Sequence, residues 1–249
     1  MSRPGVEIFP TVDGVGTAAA ERIAAIATEA VAARGEWSIA LSGGETPKAL
    51  YTLLATPTWR LQVPWSQASV FWGDERCVGP EHAESNYRAA RTTLLASVPV
   101  APERVYRIEG ERPPEEAAER YSQILARACT LGPGERPRFD VILLGLGADA
   151  HTASLFPESG ALDHGERLVV ANQAPALNPP RVTLTAPTLN NGAHVLFLVT
   201  GASKAGAVAA VIEGERRPRQ LPAQLIVPAS GTLVWLLDEA AAARLERRR

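Results

Sequence analysis

The stretch Asp140-Val141-Ile142-Leu143-Leu144-Gly145-Leu146-Gly147-Ala148-Asp149-Ala150-His151-Thr152 decides the fold class. Val141 to Leu144 is apolar at every position, so an extended chain there is apolar on both faces. A strand with one wet face alternates. A continuous apolar run stopped by glycine reads as a strand of a parallel sheet, covered on both sides. Four more runs share this form. Ser38 to Leu41 is stopped by Gly43-Gly44, Ser69 to Trp72 by Gly73, and His194 to Thr200 by Gly201; Leu233 to Leu237 is the last. Between them lie helical patterns. Ile23, Ile26, Ala30 and Val31 share a face, as do Ala117, Tyr121, Ile124, Leu125 and Ala128, and Val208, Val211 and Ile212 suggest another. The alternation predicts an α/β fold with a doubly wound, mostly parallel sheet and helices on both faces. The sequence holds no internal repeat, no low-complexity tract and no dividing linker, so one domain over 1–249 is expected.

Composition narrows the function classes. The hydrophobic share is 46%, enough for a sizeable core, and the formal net charge of −2 offers no general field for nucleic acid or an anionic membrane. Basic clusters at Arg216, Arg217 and Arg219 and at Arg247 to Arg249 read as a solvated loop and as cations ending a last helix. The 2 cysteines, Cys77 and Cys129, are too few and too far apart for a disulfide framework or a metal knuckle. Met1 to Pro10 shows no basic segment followed by an apolar one, and no apolar run approaches membrane-spanning length. The expectation is a reduced, cytoplasmic protein without nucleic-acid or membrane partners or a metal site.

In an open parallel sheet, ligands bind beyond the carboxyl ends of the strands. Four of the five strands run into unusual polar sequence: Ser42-Gly43-Gly44-Glu45-Thr46-Pro47-Lys48, Gly73-Asp74-Glu75-Arg76, Gly145 to Thr152, and Gly201-Ala202-Ser203-Lys204. A parallel sheet puts all four on one rim. In the first, two glycines allow a tight turn, with Thr46 as expected N-cap and Pro47 as first helical residue. Free N–H groups at that helix start suit a phosphate, although no P-loop pattern is present. Arg76 could hold a phosphate, a carboxylate or a developing oxyanion, against the plainer reading of Asp74 to Arg76 as a solvated loop or a helix cap. Lys204 reads as a phosphate counter-charge or a surface lysine. Gly145 to Ala150 matches G-x-G-x-x-A, but it comes past mid-chain and runs into Asp149 and His151, which argues against a dinucleotide.

Of the four histidines, His82 lies in a Pro/Glu-rich loop, His164 in a turn and His194 at a strand entrance. His151 alone falls on the expected rim, two residues after Asp149. Imidazole titrates near neutrality and can take a proton from water and return it.

These segments together resemble the 6-phosphogluconolactonase family. The resemblance is carried by Leu41-Ser42-Gly43-Gly44 with Thr46-Pro47, then Gly73 to Arg76 with Glu84-Ser85-Asn86-Tyr87. Next come Gly145-Leu146-Gly147 with Asp149 and the specific run His151-Thr152-Ala153-Ser154-Leu155-Phe156-Pro157, then Pro180 to Thr185 and Gly201 to Ala205. It spans nearly the whole chain in order. It implies a fold shared with glucosamine-6-phosphate deaminases and hydrolysis of a small sugar-phosphate lactone, 6-phosphoglucono-1,5-lactone, without a cofactor. It further implies His151 as general base and Arg76 in contact with substrate. Gly43, Gly44, Thr46, Arg181 and Lys204 are implied to line the sugar-phosphate site. Asp149 either orients the imidazole or shapes the loop. One departure stands out: Ala150 occupies the place where the family usually has glycine, at a cost of about 1–2 kcal/mol should the backbone there need φ > 0. A deaminase is the competing enzyme. Its glutamate five residues beyond the histidine is Phe156 here. A sugar-phosphate sensor would need a DNA-binding module for which the chain has no spare length.

Overall fold

A computed structural model describes residues 5–173 and 178–246. The main sheet has six strands, all parallel: β1 (Gly5–Phe9), β2 (Trp37–Leu41), β3 (Ala68–Trp72), β5 (Val141–Leu144), β8 (His194–Val199) and β9 (Thr232–Asp238), in the order β1-β9-β8-β5-β2-β3. A second, antiparallel sheet joins β4 (Asp74–Arg76), β7 (Arg181–Leu184) and β6 (Val169–Asn172), in that order. The helices are α1 (Val12–Arg34), α2 (Glu45–Leu54), α3 (Pro57–Gln62), α4 (Asn86–Ala90), α5 (Pro114–Ala128), α6 (Ala186–Leu189) and α7 (Ala205–Ile212).

All five strands expected from the sequence form, and their buried runs explain why. Val141 to Leu144 is wholly buried, between β2 on one side and β8 on the other. Neighbouring strands also pack ring on ring: Phe197 and Trp235, paired in register, stack with centroids 3.8 Å apart. Asp140 precedes β5 instead of opening it. Its carboxylate accepts from the Ser38 N–H at 2.8 Å and pairs with Arg34, tying the starts of β2 and β5 together.

The order of the strands creates the crevice. From β2 the chain moves outward to β3 on one side, whereas β5, β8 and β9 lie on the other. Loops leaving β2 and β5 therefore diverge to opposite sides at their carboxyl ends, the topological switch point at which open α/β sheets take ligands.

The second sheet corrects the reading of Asp74 to Arg76 as a solvated loop. The segment is a short strand paired with Arg181 to Thr183, and Asp74 and Glu75 are buried. The helix after Gly43-Gly44 also starts earlier than expected. Gly44, at φ 108°, is the N-cap, Glu45 is the first helical residue and Pro47 the third. Thr46 caps nothing; its hydroxyl lies 2.7 Å from that of Thr200. Gly145 to Ala150 leads into turns and not into a helix, as the argument against a dinucleotide fingerprint requires. Arg247 to Arg249 lie outside the described residues.

Candidate active site

A cleft of about 200 Å³ opens at the carboxyl ends of β2, β3, β5 and β8. Six of the eight residues singled out in the sequence line it: Gly43, Gly44, Thr46, Arg76, His151 and Lys204. The four expected rim segments do converge.

The wall after β2 is backbone at the start of α2. A Cβ at Gly43 would collide with the Asn86 carboxamide, so glycine lets α2 start this close to Asn86. Asn86 Nδ2 donates to the Asp74 carbonyl at 2.9 Å, so the first and second rim segments interlock at that point. Across the cleft, Gly201 at φ 95° turns the chain after β8 and brings Lys204 to the lining. Its N–H donates to both carboxylate oxygens of Asp238, each at 3.0 Å, which anchors this loop to the end of β9. The Lys204 ammonium forms no hydrogen bond or ion pair among the described residues.

The loop after β5 holds the imidazole. His151 Nδ1 lies 2.5 Å from Asp149 Oδ1, and the His151 N–H reaches the same oxygen at 3.2 Å. Burial alone would raise the Asp149 carboxyl, but the charge and hydrogen bonds of His151 outweigh it and hold that group below its ordinary range. A carboxylate can only accept, so Nδ1 supplies the hydrogen of this bond, and Nε2 is the ring nitrogen left to exchange a proton with a ligand. Nε2 has no partner among the described residues. Asp149 thus contacts the ring directly, through the same oxygen that meets the His151 backbone N–H. Phe156 packs against the imidazole from the other side, centroids 4.3 Å apart.

Two non-glycine residues flank this histidine in the left-handed region: Ala150 at φ 64° and Ala153 at φ 47°. Ala150 does occupy a position that favours glycine, at a cost of about 1–2 kcal/mol. The loop keeps its geometry through the Gly147 N–H to His151 carbonyl bond at 2.8 Å and the Ala223 N–H to Ala150 carbonyl bond at 3.0 Å.

Arg76 enters from β4. Its Nη1 donates to the Glu84 carbonyl at 2.7 Å, while its buried Nε has no hydrogen-bond partner. A buried guanidinium donor left unpaired beside a cleft suits an anionic or carbonyl oxygen. Glu75, adjacent, accepts from the N–H groups of Arg76, Asn86 and Tyr87 at 2.7–2.8 Å and from Ser85 Oγ at 3.1 Å. Burial outweighs these backbone donors and holds its carboxyl above the ordinary range.

Two expected residues are not in the lining. Asp149 stands behind His151. Arg181 pairs with Arg76 across β4 and β7 and gives its Nη1 to the carbonyls of Pro179 and Pro180. Burial, then the neighbouring Arg76, lowers its pKa. Conversely, Asp74 and Asn86 line the cleft without having been singled out. Asp74 accepts from Ser154 Oγ at 2.6 Å. Their only sequence signal was membership of the Gly73 to Arg76 and Glu84 to Tyr87 segments. The other histidines are elsewhere: His82 Nδ1 accepts from the Glu84 N–H, His164 follows a short 3-10 turn, and His194 Nδ1 meets the Thr232 hydroxyl. Burial pushes both free thiols, Cys77 and Cys129, up to about 11, which keeps them from acting as thiolate nucleophiles. Among the described residues, no group of three His, Cys, Asp or Glu could hold a metal ion.

The chain as a whole is similar to known proteins. Residues 10–235 match the family of glucosamine-6-phosphate isomerases and 6-phosphogluconolactonases. The chain belongs to that family. A 6-phosphogluconolactonase of a Synechocystis species is 44% identical over 219 residues, 88% of either chain. One from a Nostoc species is 39% identical over 96% of this chain and 98% of its own. Among solved structures, the 6-phosphogluconolactonase from Trypanosoma cruzi superposes with a TM-score of 0.86 at 30% identity, covering 99% of both chains. A monomeric glucosamine-6-phosphate deaminase superposes with a TM-score of 0.79 over 96% of this chain and 99% of its own. At 21% identity that likeness concerns the fold alone, the deaminase-like arrangement that the family shares.

Proposed function

We propose that this member of the family hydrolyses 6-phospho-D-glucono-1,5-lactone to 6-phospho-D-gluconate, the lactone step of the oxidative pentose phosphate pathway. The observation that carries the chemistry is the Asp149–His151 pair, whose free imidazole nitrogen belongs to a residue lining the cleft. The N–H groups at the start of α2, with Thr46 and Lys204, anchor the 6-phosphate and fix the ring. Arg181 adds a second cation behind Arg76. His151 takes a proton from water as its oxygen adds to C1. Arg76 stabilises the negative charge that develops on the carbonyl oxygen. The C1–ring oxygen bond then breaks, and the imidazolium returns its proton to the departing oxygen. One water is consumed and nothing is oxidised.

Phe156 favours this reading over a deaminase. It packs on His151 where a deaminase would offer a second carboxylate for proton transfer, and lactone hydrolysis needs no such group. Lining residues run from Ser42 to Lys204 and come from both sheets, which supports treating 1–249 as one domain. The two free thiols support a reducing compartment, and the cytoplasmic reading rests on them. The test is direct: purified protein is added to freshly made lactone and acid release is followed against the spontaneous rate. A rate no faster than the spontaneous one overturns the proposal.

A further inference from the structure

Where β2 leaves the sheet, its backbone runs out of neighbours. β5 accompanies β2 only as far as the Ala40–Ile142 pair, because the strands part at the switch point. Ser42, one residue past β2, is nonetheless buried, at 7% exposure. Its N–H and C=O would both be orphaned, and buried backbone groups are almost always paired. Both are answered by one hydroxyl. Tyr51 Oη, on α2, donates to the Ser42 carbonyl at 2.6 Å and accepts from the Ser42 N–H at 3.0 Å. The next strand repeats the arrangement. Trp72 ends β3, an edge strand, and Tyr121 Oη on α5 donates to its carbonyl at 3.1 Å and accepts from its N–H at 2.9 Å. Each phenol stands in for a missing strand, since one hydroxyl carries both a donor and acceptor lone pairs.

The two clamps sit immediately before two different parts of the cleft. Ser42 opens the Gly43-Gly44 turn at the start of α2. Trp72 is followed by Gly73 and then by Asp74 to Arg76. We propose that Tyr51 and Tyr121 are positioning residues with separate duties: Tyr51 sets the phosphate-facing turn, and Tyr121 sets the strand that delivers Asp74 and Arg76. Neither touches the cleft itself; both lie in the core, at 1% and 0% exposure. Burial raises both phenols, so each keeps the proton that it donates. The assignment of duties rests on the lactonase reading above.

The experiment compares Tyr51→Phe with Tyr121→Phe. Both are checked for folding by near-UV circular dichroism, assayed on the phosphorylated lactone, and titrated with inorganic phosphate by calorimetry. Tyr51→Phe should raise KM and the phosphate Kd about tenfold, one contact's worth of affinity, while kcat changes less than about threefold. Tyr121→Phe should do the reverse, lowering kcat about tenfold with KM and phosphate Kd close to wild type. Variants that lose only thermal stability, or that share one kinetic defect, overturn the proposal. A wild type that binds phosphate but hydrolyses no lactone would fell the lactonase reading instead, and the phosphate titration would still judge Tyr51. Should a variant not fold, amide exchange in the wild type decides. The Ser42 and Trp72 amides should exchange as slowly as those of the strands, and exchange at the rate of an unprotected peptide overturns the clamps.

Discussion

Gly147→Ala perturbs the imidazole without touching it. A Cβ at this position would fall well inside van der Waals contact of both His151 Nδ1 and Asp149 Oδ1. The backbone of Gly147 is not in the left-handed region, so alanine is allowed there. The collision is with the ends of two side chains that can swing away, so the fold should survive. The ring has to recede by roughly 1 Å or more, and misplacement of a reacting group on that scale costs about 10²-fold in rate. Separating the half-exposed pair also weakens its hydrogen bond, an effect contained in that hundredfold and not added to it. We therefore expect kcat near 1% of wild type. Melting temperature should shift by no more than a few degrees, and 6-phosphogluconate binding should weaken little. The assay is steady-state hydrolysis of fresh lactone, paired with a thermal melt. A Gly147→Ala protein with wild-type kcat would refute the claim that this glycine is set by the Asp149–His151 pair. A protein that does not fold would refute the claim that the clash is local.

Three other outcomes follow from the same geometry. Arg76→Lys keeps the charge but loses the planar fork behind the unpaired Nε, and kcat/KM should fall at least about tenfold; unchanged kinetics would leave Arg76 out of the reaction. Lys204→Ala should lower kcat/KM for the phosphorylated lactone by about ten- to hundredfold and leave the weak rate on unphosphorylated gluconolactone unchanged, whereas equal losses on both would place Lys204 away from the phosphate. The Asp149 carboxyl is held below its ordinary range, so its ionised form contributes stability above that range and the contribution disappears as pH falls through the lowered value. Wild type should accordingly be more stable than Asp149→Asn near neutrality, with the difference closing under strong acid in chemical-denaturation curves; a difference that widens on acidification would reverse the sign.

What the sequence revealed followed from range. Each strand of the main sheet except β1 contains an unbroken run of at least three apolar residues closed by glycine or a polar residue, and such a run needs no knowledge of its neighbours to be read. The rim segments follow from those strands, which is why six site residues converge as expected. Asp74 to Arg76 escaped because three polar residues become a strand only through pairing with Arg181 to Thr183, more than a hundred positions away. Asp74 is held further by the distant Ser154, whereas Glu75 is held by its nearer neighbours Ser85, Asn86 and Tyr87. Thr46 looked like a cap because Thr-Pro is a common helix opening, but its hydroxyl is committed to Thr200 across the cleft. Asn86 carried no chemistry of its own in the sequence and gains its role by locking Asp74 against Gly43. The strain at Ala150 was foreseeable only conditionally, since its φ is set by the turn that aims His151.

The central claim is that His151 activates the attacking water. The decisive measurement is kcat of a folded His151→Ala protein on fresh lactone, corrected for the spontaneous reaction and set beside His82→Ala, His164→Ala and His194→Ala. Loss of a general base costs about 10²–10⁴-fold. The account predicts a fall of that order for His151→Ala alone, with 6-phosphogluconate still bound. A folded His151→Ala enzyme turning over at close to the wild-type rate would contradict it, and would pass the task of activating water to Asp74, Glu75 or Asp149.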